Sequence, residues 1–76
     1  MTDVVEEFNK LKQEGAVEDY LIRFEELKSL LTLSYPTLDE PYFVSSFISS
    51  LKDELRPMVK MMQPATIKHA VEKAML

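Results

Sequence analysis

Few side chains in this sequence are equipped to do chemistry. His69 is the only histidine and there is no cysteine, which excludes a thiolate nucleophile, a disulfide and a cysteine-based zinc site. No HExxH-like partner accompanies His69, and it reads as a solvated residue in the first turn of a helix. Glu6, Glu7, Glu18, Asp19, Glu25 and Glu26 fall into solvated helix faces rather than an acid/base pair. There is no nucleophile–base pair, phosphate-cradling glycine loop or metal constellation, so neither catalysis nor a cofactor is expected. Met58, Met61 and Met62 have the softness of an adaptable binding groove. Met58 and Met62 also fit an apolar helix stripe and are expected in the core, while Met61 points off it. What remains is polar punctuation: in LKQEGAVEDYLIRFEEL, residues 11–27, Gln13 and Arg23 stand where a purely structural helix hardly needs them.

The elements that must position these residues are legible from period. Thr2 is a plausible N-cap, and Val4, Val5, Phe8 and Leu11 then share one side of a short helix. Gly15 is expected to stop that helix by taking a left-handed conformation. A second helix is predicted over about Val17 to Leu33, where Val17, Tyr20, Leu21, Phe24, Leu27 and Leu31 follow the i, i+3, i+4, i+7 stripe. Pro36 breaks it, Asp39 caps a third helix and Pro41 suits its first turn. Phe43, Val44, Phe47, Ile48 and Leu51 make that helix's inward arc. A fourth, shorter helix uses Leu55, Met58, Val59 and Met62, with Pro57 near its start and Asp53 and Glu54 favouring its dipole. Pro64 forces a break, and Thr66 caps a last helix with Ile67, Ala70, Val71 and Ala74 inward. No segment alternates with period two, so the fold class is all-α: a compact bundle of about five short helices.

Composition agrees. With 76 residues the chain is one small domain, and 46% apolar residues with a single glycine argue for a packed helical protein rather than a disordered one. A net charge of −4 lacks the basic footprint of a nucleic-acid binder. The apolar runs are too short to span a membrane, and MTDVVEEF has neither the basic start nor the apolar run of a signal peptide. An intracellular, cytoplasmic location is expected. The last helix meets no glycine, asparagine or proline before Leu76, which reads as an excised piece of a longer protein.

FNKLKQEGAVEDYLIRFEELKSLL (residues 8–31) and YFVSSFISSLKDELRPMVKMMQPATI (residues 42–67) resemble the Gag capsid region of Ty3/gypsy-type LTR retrotransposons. The resemblance implies that helices two to five correspond to the four helices of a retroviral capsid C-terminal domain. The stretch Gln13 to Phe24 is similar to that domain's major homology region. The family's glutamine maps onto Gln13, its aspartate and tyrosine onto Asp19 and Tyr20, and its arginine–phenylalanine pair onto Arg23 and Phe24. The span from Gln13 to Arg23 is shorter than in the orthoretroviral pattern, so Glu14 and Glu18 are both candidates for the family's glutamate. Ser50 stands where related plant sequences often carry glycine. Any zinc knuckle, protease or other enzymatic part of such an element lies outside these residues.

Physics gives the motif a structural role of its own. Arg23 lies on the flank of an apolar stripe, where its stem can be buried and its planar fork can bond several acceptors. Gln13 can accept from Arg23 and donate to backbone at the Gly15 turn. Such a network would pin the first helix and its turn against the second.

A second signal is the lack of charge where a monomer ordinarily shows it. Ile22, Leu30 and Leu33 lie away from the main stripe of the second helix. On the third, Tyr42 heads a face made of Ser45, Ser46 and Ser49. Such a face belongs either to a loop-covered or partly buried helix or to a subunit contact that permits close approach. Tyr42, Ser46 and Ser49 are therefore the candidate self-association residues. The expected function is a structural assembly domain of a Gag shell, with the chain itself as partner and no direct nucleic-acid or membrane binding. The competing expectation is a host-domesticated Gag-like or SCAN-like protein–protein interaction module.

Overall fold

The computed structural model describes residues 3–75 of the chain. Five helices follow one another: α1 (Val4–Lys10), α2 (Val17–Ser34), α3 (Glu40–Ser49), α4 (Arg56–Met61) and α5 (Ile67–Ala74). No strand occurs among the described residues. Thr2 lies outside them, and the cap of α1 is Asp3, whose carboxylate accepts from Val5 N at 3.0 Å. The other two side-chain caps fall where the sequence places them. Asp39 accepts from Tyr42 N at 3.2 Å with Pro41 in the first turn of α3, and Thr66 accepts from His69 N at 3.1 Å. His69 itself is exposed.

The first break differs from expectation. α1 ends at Lys10, with Leu11 extended at φ −63° and ψ 130°, and Gly15 does not take a positive φ. Residues 11–16 form an irregular linker, extended at Leu11 and Ala16 and bent at Gly15, with Leu11 still packed against the core. Among the described residues the positive φ belongs to Gln63, at 49° just past the end of α4 and before Pro64. There the left-handed turn ends the helix, and the proline prevents its resumption.

The stripes meet in one core. α1 lies along α2, α3 packs against α4 and α5, and α2 also touches α5. Phe8, Tyr20, Phe24, Phe43 and Phe47 form a connected aromatic cluster through its middle. Phe24 stacks tilted on Phe8 at 5.3 Å and meets Phe47 edge-on at 5.3 Å, while Tyr20 lies 5.1 Å from Phe47. Pairs of this kind add about 0.5–1.5 kcal/mol each beyond burial. Leu27, Leu31, Val44, Leu51, Val59, Ile67, Ala70 and Ala74 close the core around them.

The α4 stripe is a correction. Only Val59 of that helix is fully buried, and Met58 and Met62 are exposed alongside Met61. A six-residue helix seated against α3 and α5 has one edge covered, and Val59 fills it. Asp53 pairs with Arg56 at its first turn rather than serving only the helix dipole.

Phe24 touches three of the other four rings, so Phe24→Ala leaves a cavity that no neighbouring helix can close without breaking another ring contact. The expected loss is about 3–5 kcal/mol. Thermal unfolding followed by circular dichroism should show the cooperative transition lowered sharply or abolished; a melt near the parent's would place Phe24 outside the core.

Candidate functional site

The motif residues divide into two groups. Gln13, the one buried polar side chain among the described core residues, sits in the linker with both its amide nitrogen and its amide oxygen bonded. Its Nε2 donates to the Gly15 carbonyl at 2.9 Å, as expected, but its Oε1 accepts from the backbone N–H of Lys52 at 3.0 Å rather than from Arg23. Its own backbone N–H donates to the Ser50 carbonyl at 2.9 Å. Two bonds thus tie the linker to the turn between α3 and α4, and the third braces the linker itself. A glutamine is suited to this because it carries donor and acceptor on one planar group. Ser50 enters the contact through its backbone carbonyl, and as the C-cap of α3 it has φ −100°, a conformation open to any residue.

Tyr20 anchors the same end of α3 from the other side. Its hydroxyl donates to the Phe47 carbonyl at 2.9 Å inside the core. Burial pushes its pKa up to about 12, and a hydrogen bond with the Ser50 side chain pulls it partly back. Phe24, one turn on, belongs wholly to the ring cluster.

Arg23 is not part of this clamp. Its side chain is largely solvated and faces Glu7 of α1 at 3.3 Å and Glu26 of its own helix at 3.5 Å. The expected result, α1 pinned to α2, is reached by a different partner. Exposed pairs of this sort contribute about 0–1 kcal/mol, so Arg23 trims the α1–α2 geometry while the Phe8–Phe24 ring contact sets it. Glu14, Glu18 and Asp19 are exposed, and none of them enters the clamp's hydrogen bonds.

Glu40 is a joint that sequence reasoning missed. From the first turn of α3 its Oε2 accepts from Ile67 N at the start of α5 at 2.8 Å, and its Oε1 lies 3.8 Å from Lys28 Nζ of α2. The same ammonium stands 5.3 Å from the Phe43 ring centroid. One carboxylate therefore joins three helices. The signal was an acid between the cap Asp39 and Pro41, but its partners lie 12 residues before and 27 residues after it.

The outward side of α3 is open. Tyr42 is 41% exposed, Ser45 and Ser49 are exposed and Ser46 is half-buried, so no loop covers this row. Glu40 is the helix's sole charged residue and is turned to α5. Beside Tyr42 an apolar cleft of about 230 Å³ runs between α1 and the α2–α3 loop, lined by Val5, Phe8, Leu31, Tyr35 and Leu38. Among the described residues no group of three or more His, Cys, Asp or Glu side chains could hold a metal ion, and no helix is long and apolar enough to cross a membrane. Comparison of the chain with models of known families, with curated proteins and with solved structures returned no match.

Two measurements check the clamp. Because Gln13 and Arg23 share no partner, Gln13→Ala should cost about 1–3 kcal/mol by stranding the Lys52 N–H, and Arg23→Ala about 1 kcal/mol at most. Their effects should add within about 0.5 kcal/mol in a denaturant double-mutant cycle; a larger coupling would reinstate a common network. Tyr20 sets the alkaline limit. Its folded pKa lies above the unfolded value of 10.0, so its contribution is complete below pH 10 and is lost as the pH rises toward 12. The slope in that window is about 1.4 kcal/mol per pH unit. Tyr20→Phe should flatten it in urea unfolding at pH 9 to 12.

Proposed function

We propose that this chain is a structural self-association domain, the C-terminal lobe of a capsid of the retrotransposon Gag type, acting by assembling copies of itself into a shell. The observation that carries this reading is the open α3 row: Tyr42, Ser46 and Ser49 on a helix without an outward-facing charge, left uncovered by the rest of the chain. Small side chains flanking one aromatic let two helices approach closely, and tyrosine is a frequent centre of binding energy at interfaces. A two-fold contact would use the row twice, since an isologous interface presents the same residues from both sides. The order of the resembling segments supports the reading, and so does the placement of Gln13, Tyr20 and Phe24 at positions that stiffen the frame behind α3. On this reading the domain is intracellular, has no enzymatic role, and leaves nucleic-acid binding to other parts of its polyprotein. A host-derived interaction module would use the same surface for a partner of its own kind, and the neighbouring genes would separate the two.

The test is sedimentation equilibrium across a concentration range. The parent should show a monomer–dimer equilibrium with a dissociation constant on the order of micromolar or weaker, as the small area of one helix face implies. Ser46→Arg with Ser49→Arg should remove that dimer while leaving helicity and the thermal transition in place. A parent that stays monomeric at millimolar concentration would overturn the proposal.

A further inference from the structure

Charge is distributed unevenly along this chain. Residues 1–51 hold ten acids against four bases, whereas residues 52–76 hold five bases against three acids. The exposed apolar residues divide along the same line. On α4, Met58, Met61 and Met62 stand at i, i+3 and i+4 on one side, with Met61 82% exposed, and Lys60 is exposed beside them. On the acidic part, the cleft beside Tyr42 continues into a second of about 370 Å³ through the shared residues Val5, Leu31 and Tyr35. The joined groove is floored by Val4, Val5, Leu30 and Leu38 and flanked by Tyr35 and Tyr42. Its one charged lining residue is Asp3, and exposed Glu6 and Asp39 stand on the flanking elements.

From this we infer a second contact between copies, head to tail: the methionine face of α4 on one copy seats in the groove between α1, the end of α2 and the start of α3 on the next. The inference rests on the reading of the chain as an assembly domain and adds to it a surface that adjoins the α3 row at Tyr42 and leaves Ser46 and Ser49 outside it. Anchors at i, i+3 and i+4 are how a helix enters an apolar groove, and methionine adapts to such a lining without a fixed shape. Charge selects the occupant. A chain of net charge −4 repels its own copy on average, but exposed Lys60 between the methionines meets Asp3, Glu6 and Asp39 only in the head-to-tail arrangement. Opposite charges at a rim steer and orient association. The geometry also has a consequence that a two-fold contact lacks. An isologous pair closes at two subunits, whereas a heterologous contact propagates into rings or extended arrays, and a shell needs both kinds.

The full chain carrying Ser46→Arg and Ser49→Arg isolates this contact from the α3 dimer. In that background the methionine face is altered by Met61→Glu in one protein and the groove by Leu30→Lys in another; both positions are exposed, and circular dichroism verifies that each variant is folded. The background protein should associate past the dimer with rising concentration in sedimentation equilibrium. Each variant alone should be monomeric at the same concentration. Their equimolar mixture should reach twice the chain mass and stop there, because one intact methionine face then meets one intact groove. Association should weaken at about 1 M salt, where charges are screened beyond about 3 Å. A mixture that stays monomeric, a variant that still associates alone, or association strengthened by salt overturns the head-to-tail contact. Loss of the parent's dimer on changing Ser46 and Ser49 reports separately on the α3 row, so either contact can fail without the other.

Discussion

Gln13 is one buried side chain, but the relation between the two parts of the bundle passes through it. The linker that follows α1 meets the turn between α3 and α4 at Ser50 and Lys52. The side-chain amide of Gln13 satisfies the Lys52 N–H and the Gly15 carbonyl, and its backbone satisfies the Ser50 carbonyl. These groups belong to irregular backbone with no helical partner, and leaving any of them unpaired in a partly buried site costs about 1–3 kcal/mol. In a chain of 76 residues, whose net stability is only a few kcal/mol, one such loss is a large share of the total. Tyr20 bonding the Phe47 carbonyl fixes the same corner from within the core. The α3 row and the start of α4 are therefore presented in one orientation, which a weak, repeated contact requires.

What was legible in the sequence follows from the kind of information each feature uses. The stripe of α2 and the arc of α3 were readable because burial on one side of a long helix imposes its period directly. Val17, Tyr20, Phe24, Leu27 and Leu31 are all buried, as are Phe43, Val44 and Phe47. Caps at Asp39 and Thr66 were readable because each bond is local, spanning three residues. The Gln13–Gly15 bond is local too, and it was anticipated. Its partner at Lys52, 39 residues away, was not, since period and spacing say nothing about which turn the linker will meet. Arg23 was assigned the wrong partner for the same reason: Glu7 comes within reach only after α1 has docked.

The methionines failed for a different reason. Leu55, Met58, Val59 and Met62 do lie on one arc, and a longer helix would bury such an arc. α4 is a single short element at the edge of the bundle, and its neighbours cover only the Val59 side. Periodicity identifies a face without saying whether the fold has anything to set against it. The Gly15 expectation erred similarly. Glycine is permitted a left-handed turn, but α1 stops at Lys10, and the chain then runs on extended at Leu11 rather than reversing. The turn that does need a positive φ was met by Gln63, where the following proline removes the alternatives.

The same comparison separates residues that stabilise this fold from residues available for something else. Every ring in the cluster, the Gln13 amide and the Glu40 carboxylate are used within the chain. The α3 row and the α4 methionines are not used in this way. Their exposure costs the monomer solubility and gives its core nothing, as single scattered apolar residues would not. Two such surfaces on different helices, one nearly free of charge and the other basic beside an otherwise acidic chain, cannot both serve one two-fold contact. The neutral row can meet its own copy without repulsion; the basic methionine face gains most from meeting an acidic surface elsewhere on the next copy. On the proposed assembly reading, a domain that joins one self-complementary surface to one polar pair of surfaces can both close and extend, and each contact can stay weak because the array multiplies it.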